Sequence, residues 1–161
     1  MKTHNFENSI VIGEKFEKLL DNYFSKYYTI TEVSQEQQFA GIDRIFKNSD
    51  RELKIEYKCD TVTITSGNLF IETFSNVESG RKGWAFTSQA DWIFYYLIGM
   101  DKIVSMKPEN IRTYLKEWIS KYRLQSVLNK DSTRQYHSRG ILIPLEVFEN
   151  SKDFRVSKIK L

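Results

Sequence analysis

Apolar residues at Ile12, Phe16, Leu19, Leu20, Tyr23 and Phe24 recur at helical spacing, with Glu14, Glu17, Lys18 and Asp21 between them. The stretch from Ser9 to Tyr27 is therefore predicted to be an amphipathic helix. The period then shortens. Tyr28 to Val33 is rich in β-branched and aromatic residues and predicts a short strand, followed by a polar Gln/Glu segment ending at Gly41. Ile42 to Phe46 and Leu53 to Cys59 are strand-like runs on either side of Asn48-Ser49-Asp50, whose side chains favour a turn, so the pair reads as a β-hairpin. In its second run Leu53, Ile55, Tyr57 and Cys59 alternate with Lys54, Glu56, Lys58 and Asp60. A period of two puts Glu56 and Lys58 on the same face.

Farther along, Asn68 to Ser75 predicts another strand, leading to a loop that holds Gly80 and Gly83. Ser88-Gln89-Ala90-Asp91 has the composition of a cap at the start of a short helical turn. Trp92 to Ile98 and Lys102 to Met106 flank Gly99-Met100-Asp101 as a second hairpin. Pro108 suits a helix start, with Ile111, Leu115, Trp118, Ile119 and Tyr122 as the apolar stripe that follows. Gly140 to Pro144 and Phe154 to Leu161 read as strand, turn and strand. Only Pro108 and Pro144 interrupt the chain, with no repeat and no low-complexity tract, so residues 1–161 are expected to form one domain.

A content of 40% hydrophobic and 14% aromatic residues suffices for one core in a chain of 161 residues. The longest apolar run, Trp92 to Met100, is half the length of a membrane span and suits a buried strand, so no membrane partner is expected. Met1-Lys2-Thr3-His4-Asn5 leads into polar residues rather than the apolar centre of a signal peptide. A single cysteine, Cys59, cannot form an internal disulfide; an intracellular, cytoplasmic protein is the expectation. One cysteine and two histidines, His4 and His137, are too few for a sulfur- or imidazole-built metal centre, so any metal must rest on oxygen ligands.

Charge is unevenly distributed. Residues 1–100 carry 11 Lys and Arg against 14 Asp and Glu, whereas residues 101–161 carry 13 against 7. In the second part Arg112, Lys116, Lys121, Arg123, Lys130, Arg134 and Arg139 alternate with Tyr114, Trp118, Tyr122 and Tyr136. Such a stretch suits a phosphate backbone and stacked bases, and equally a solvated helix face whose aromatics fill the core.

The acidic half holds the candidate chemistry. Hydrolysing a phosphodiester without a covalent intermediate requires an oxygen-ligated divalent cation, which activates water and offsets charge on the phosphate. The hairpin brings Asp43, at its start, near Glu56 on the returning strand. Lys58, on the Glu56 face, would place an ammonium against the attacking water or the phosphate. Taken singly, an Asp at a strand start is a turn former, and alternating Glu and Lys are a solvated strand face. Their order is what carries information: an acidic helix, Gly41-Ile42-Asp43, a turn, Ile55-Glu56-Tyr57-Lys58, then another strand and helix.

In that order, and over roughly residues 13–106, the chain resembles the PD-(D/E)XK nuclease superfamily, which includes restriction endonucleases, Holliday junction resolvases and repair nucleases. Ile42 stands where the family name has proline. The resemblance implies an α/β restriction-endonuclease-like core, a central mixed β-sheet flanked by helices. It further implies that Asp43, Glu56 and the Tyr57 carbonyl bind Mg²⁺, with Mn²⁺ as a substitute, while Lys58 orients or activates water and the product carries a 5′-phosphate. Gly13-Glu14-Lys15-Phe16-Glu17 is similar to the family's first-helix motif. It implies an accessory acid at Glu17, with Glu14 as the alternative. Ala90-Asp91-Trp92-Ile93 is similar to the segment leading into a later core strand of resolvase-like members.

Three further features bear on substrate. Glu72 is placed either to touch the metal through water and shape the cleft or to face solvent. Arg81 and Lys82, between two glycines, suit a phosphate contact or an ordinary exposed loop. Ser88 and Gln89 would bond a phosphate from a helix start, though capping alone accounts for Ser88. With Lys116, Arg123 and Arg134 these form the expected nucleic-acid contacts. The leading expectation is a Mg²⁺-dependent deoxyribonuclease, a structure-directed endonuclease of repair, recombination or a mobile element, with RNA left open as a substrate. A homodimer would supply the two centres that two cuts in a duplex require. The alternatives are a nucleic-acid-binding protein that keeps the fold without cleavage, and an interaction protein whose strand charges are only surface.

Overall fold

The computed structural model describes the backbone from Thr3 to Leu161 and side chains from Ser9 onward, so the Met1-Lys2 start and the His4 side chain lie outside the described residues. A short strand β1 (Thr3–Asn5) runs into helix α1 (Phe6–Phe24), whose Phe16, Leu20, Tyr23 and Phe24 pack into the core as expected, whereas Ile12, expected in the same stripe, is exposed. Strand β2 (Thr29–Glu32) follows. The polar segment beyond it, read above without structure, is the helix α2 (Gln35–Phe39). Ser34 and Gln37 close a capping box at its N-terminus, the Ser34 hydroxyl accepting from the Gln37 N–H and the Gln37 side chain accepting from the Ser34 N–H. The first hairpin is β3 (Arg44–Lys47) with β4 (Glu52–Asp60), paired antiparallel. Asn48 Oδ1 accepts from the Asp50 and Arg51 N–H groups and so makes its turn.

After α3 (Thr63–Ser66) the chain leaves this sheet as β5 (Asn68–Asn76), turns back through β6 (Arg81–Lys82) and reaches α4 (Trp84–Thr87). The loop expected between Gly80 and Gly83 is thus a two-residue edge strand paired with β5. The second hairpin is β7 (Trp92–Leu97) with β8 (Lys102–Met106). Helix α5 (Pro108–Lys121) buries Ile111, Leu115 and Trp118, whereas Ile119, expected in the same stripe, is exposed. A hairpin of β9 (Leu124–Lys130) and β10 (Gln135–Pro144) follows. The expected turn after Pro144 is the helix α6 (Leu145–Glu149), before β11 (Arg155–Lys158).

Two sheets result, both mixed, with helices packed against them. The order β11-β8-β7-β4-β3-β2 is antiparallel except for the central pair β4–β7, and the order β1-β9-β10-β5-β6 is antiparallel except for β1–β9. A parallel pair needs a long connection, and the one between β4 and β7 is the whole excursion through β5, β6 and α4. That detour carries part of the second sheet to the face of β4 opposite α1. One apolar cluster, with Leu20 of α1, Phe46, Ile55 and Tyr57, fills the α1 side. A larger one joins Leu69, Ile71, Ile141 and Ile143 of the five-stranded sheet to Ile93, Leu97 and Met106 of the other, with Trp118 of α5. Strand β4 is therefore covered on both sides, and its alternation sends Ile55 and Tyr57 to α1 and Glu56 and Lys58 into the space between the sheets. No described helix is long and apolar enough to cross a membrane.

Candidate active site

Strand β3 begins at Arg44, opposite Ile55, so the edge of β4 beyond Ile55 has no ladder partner from β3. Asp43 takes over there with its side chain. Its main-chain N–H donates to the Ile55 carbonyl (2.8 Å), and its Oδ2 accepts the Tyr57 N–H at 2.7 Å. N–H and C=O of one strand residue point the same way, so the Tyr57 carbonyl faces this gap too.

Between Tyr57 and Ile55, Glu56 points to the other side and is only 3% exposed. Its Oε1 receives the Lys58 ammonium at 2.6 Å, which realises the shared face predicted from the strand period. Its Oε2 is buried with no hydrogen-bond partner among the described residues. A carboxylate oxygen in that condition costs free energy unless something positive meets it. Gly41, at φ +74°, makes the room: a Cβ there would stand 3.1 Å from Glu56 Oε2 and 3.0 Å from Ser88 Cα. Ser88 is buried beside it, its hydroxyl directed at the Gly41 carbonyl (3.4 Å).

Burial works against the Lys58 charge, yet Glu56, Asp43 and, more distantly, Glu72 hold its pKa above the ordinary lysine value, so it stands here as an ammonium. Glu72, on β5, has its own carboxyl raised by burial and is steadied by Lys58 and by the Trp84 N–H. Close packing fixes that last contact. A Cβ on Gly83 would fall 2.5 Å from the Glu72 carbonyl oxygen, so only glycine lets the start of α4 close over β5.

On the α1 face, Arg44 gathers the helix acids. Its Nε donates to Asp21 Oδ2 at 3.0 Å, its Nη2 to Glu17 Oε2 at 3.3 Å and its Nη1 to the Asp43 carbonyl at 2.8 Å. Tyr57 adds a hydroxyl bond to Asp21 at 3.1 Å. Burial and the neighbouring Asp43 carboxylate raise the Glu17 pKa. Glu17, rather than the exposed Glu14, is thus the helix acid beside Asp43, although it is held by Arg44. Glu17 and Glu56 stand on opposite faces of β4 with Asp43 at the edge between them. Among the described residues no three or more His, Cys, Asp or Glu side chains converge as a ready-made metal site. No family model, curated protein or solved structure matches this chain.

The expected nucleic-acid residues divide by position. Ser88 follows α4 as its C-cap instead of starting a helix, which removes the helix-start phosphate contact proposed for it and for Gln89. Gln89 is exposed, its main-chain N–H donating to the Ala40 carbonyl at 2.9 Å. Arg81 and Lys82 are exposed on β6, one strand from Glu72. The basic stretch is split: Lys116 is exposed on α5, Arg123 is exposed just beyond it, and Arg134 pairs with Asp131 (3.2 Å) in the β9–β10 turn. A residue left out of those contacts, Arg112, reaches back from α5 to the Ser88 carbonyl (3.3 Å). Its position one face of a helix away from the cluster depends on long-range packing and leaves no local signal.

A side-chain contact away from this cluster fixes the β5–β6 turn. Glu78 accepts the His137 main-chain N–H at 2.9 Å and pairs with its ring Nδ1, while the Val77 N–H donates to the His137 carbonyl at 2.8 Å. The imidazole hydrogen bond, then the main-chain one, hold the Glu78 pKa down at about 2. A depressed carboxyl stabilises the fold fully above the ordinary value of 4.5 and loses that contribution as the pH falls toward 2. A carboxyl-detected NMR titration should place Glu78 near the low value in the native chain and raise it part of the way toward the ordinary range in His137→Ala, which keeps the main-chain donor; an unchanged midpoint would rule the imidazole contact out in solution.

Proposed function

We propose that the chain is a Mg²⁺-dependent DNA nuclease with a restriction-endonuclease-like core, formed by the six-stranded sheet with α1 against β4. The observation that carries this is Glu56 Oε2, a buried carboxylate oxygen with no hydrogen-bond partner among the described residues, set in the recess that Gly41 leaves open. Asp43 and the Tyr57 carbonyl at the adjoining edge supply further hard oxygen donors, the type Mg²⁺ and Mn²⁺ take. Glu17 joins them if it exchanges Arg44 for the ion. A divalent ion held there would activate water and neutralise phosphate charge.

The chain's own contribution is positional. The Tyr57 N–H fixes the Asp43 carboxylate, and Lys58 presents an ammonium donor beside Glu56, placed to orient water or a phosphate oxygen. The space between the sheets limits access of bulk water. DNA is the substrate class the family resemblance implies, and a structure-directed endonuclease suits a small chain that would read shape through backbone contacts.

A specific observation favours a second function, nucleic-acid binding without cleavage: Lys58 already pairs with Glu56, and Arg44 with Glu17 and Asp21. Cleavage of plain and branched DNA with Mg²⁺ or Mn²⁺ separates the two. The wild type should cut, with Asp43→Ala and Lys58→Ala each slower by about 10²-fold or more. Equal rates in all three would remove these residues from the chemistry, and salt-sensitive binding with no cutting by the wild type would select the binding protein.

A further inference from the structure

Next to the candidate active site lies a small aromatic and basic surface that none of the chemistry above uses. On β5, Phe70, Glu72 and Phe74 are half-buried while Leu69, Ile71 and Thr73 are buried, and the ladder with β10 shifts register between Glu72 and Phe74. Phe74 is two residues beyond Glu72 along the strand, within about 7 Å of it. Lys82 on β6, paired with Phe74 of β5, holds its ammonium 4.4 Å from the Phe74 ring centroid and 5.2 Å from that of Phe86. Phe86 stands on α4 two residues beyond Trp84 and is 38% exposed, so part of its ring is open to a ligand. Arg81 extends the positive charge along the same edge. Across the sheet on β10, Tyr136 repeats the combination, the Arg134 guanidinium lying 5.8 Å from its ring centroid.

We propose that Phe74, Lys82 and Phe86 form a stacking platform for an unpaired nucleotide, so that the chain engages single-stranded or locally opened DNA beside the cut. The proposal rests on the nuclease assignment for its purpose, but not for its binding. An aromatic ring grips a base through its flat face, and in a duplex those faces are already stacked on their neighbours. Phosphates between splayed bases match the ammonium and guanidinium groups in sign, and the cations now over the rings can shift to them. The closeness of Phe74 to Glu72 along β5, and of Glu72 to Lys58, sets the platform at the margin of the cleavage centre, where a frayed strand would leave the duplex.

Fluorescence anisotropy without divalent metal tests this, with a labelled oligothymidylate of about 12 nucleotides and a duplex of the same length as probes. The wild type should bind the single strand more tightly. Phe86→Ala should weaken that binding about 10-fold and leave the duplex unchanged, Phe86→Tyr should retain it, and Lys82→Ala should lower the salt slope for the single strand by about 0.7. Tighter or equal binding of the duplex, or the same loss for both probes in Phe86→Ala, would overturn the platform. Because no cleavage is measured, a chain that binds as expected yet never cuts DNA would refute the nuclease assignment and leave the platform standing.

Discussion

Glu56→Gln is expected to abolish Mg²⁺-dependent cleavage, by about 10³-fold or more, while the chain stays folded. The amide keeps the shape of the side chain and fills the recess by Gly41, so packing around the buried position changes little. What it loses is charge. Oε2 becomes an amide nitrogen with no affinity for a divalent cation, and Lys58 keeps an oxygen acceptor at Oε1 but loses its opposite charge, leaving only the field of Asp43 and Glu72. Thermal denaturation provides a readout independent of catalysis. An ion at about 100 times its dissociation constant stabilises the fold by about 2.7 kcal/mol, equivalent to about 5–10 °C for a chain of this size. Mn²⁺ should raise the wild-type midpoint by that amount and leave Glu56→Gln nearly unmoved. An equal rise in both proteins would show that any ion binds elsewhere.

The hairpin that sets this site was legible because its signals are local. Alternation from Leu53 to Asp60 is a property of eight consecutive residues, and the Asn48 side chain makes its turn with main-chain groups two and three positions on. Helix α1 was legible for the same reason. What the sequence did not disclose is that Glu56 is enclosed. A strand with one charged face reads as half-solvated, and only the return of β5, β6 and α4 over that face buries it. The paired helix acid followed the same rule: Glu14 and Glu17 are both plausible by spacing, and Arg44, on a strand that meets the helix only in three dimensions, selects Glu17.

The second sheet was the larger omission. Its β9–β10 hairpin lies in a basic and aromatic stretch whose composition fits helix and strand alike. Asp131 carried the missing signal: its Oδ1 accepts the Thr133 and Arg134 N–H groups, the same turn chemistry that betrayed the first hairpin. Helix α2 was announced by Ser34 and Gln37, three residues apart, but a helix of five residues with none buried leaves no apolar period to read.

Arg44→Ala should cost about 3 kcal/mol of stability, lowering the melting midpoint by about 6–12 °C. Three features place the effect well above that of a surface pair. The residue is 8% exposed, its guanidinium bonds two carboxylates and a carbonyl at once, and its removal leaves Asp21, Glu17 and Asp43 facing one another across a cavity. Partial access of water to Glu17 and Asp21 keeps the cost at the lower end of the range for a broken buried pair. Arg44→Lys should recover about half of the loss, since an ammonium supplies charge without the fork that reaches both acids and the carbonyl. A loss below about 1 kcal/mol in Arg44→Ala, the size of an exposed ion pair, would mean that α1 is held to the hairpin by its apolar face alone. The same substitution frees Glu17 from its cation and the Asp43 carbonyl from its donor. If Arg44 only anchors the helix, cleavage should therefore fall in step with the folded fraction; if it also sets the position of Asp43, the rate per folded molecule should fall as well, and Arg44→Lys should restore stability more fully than rate.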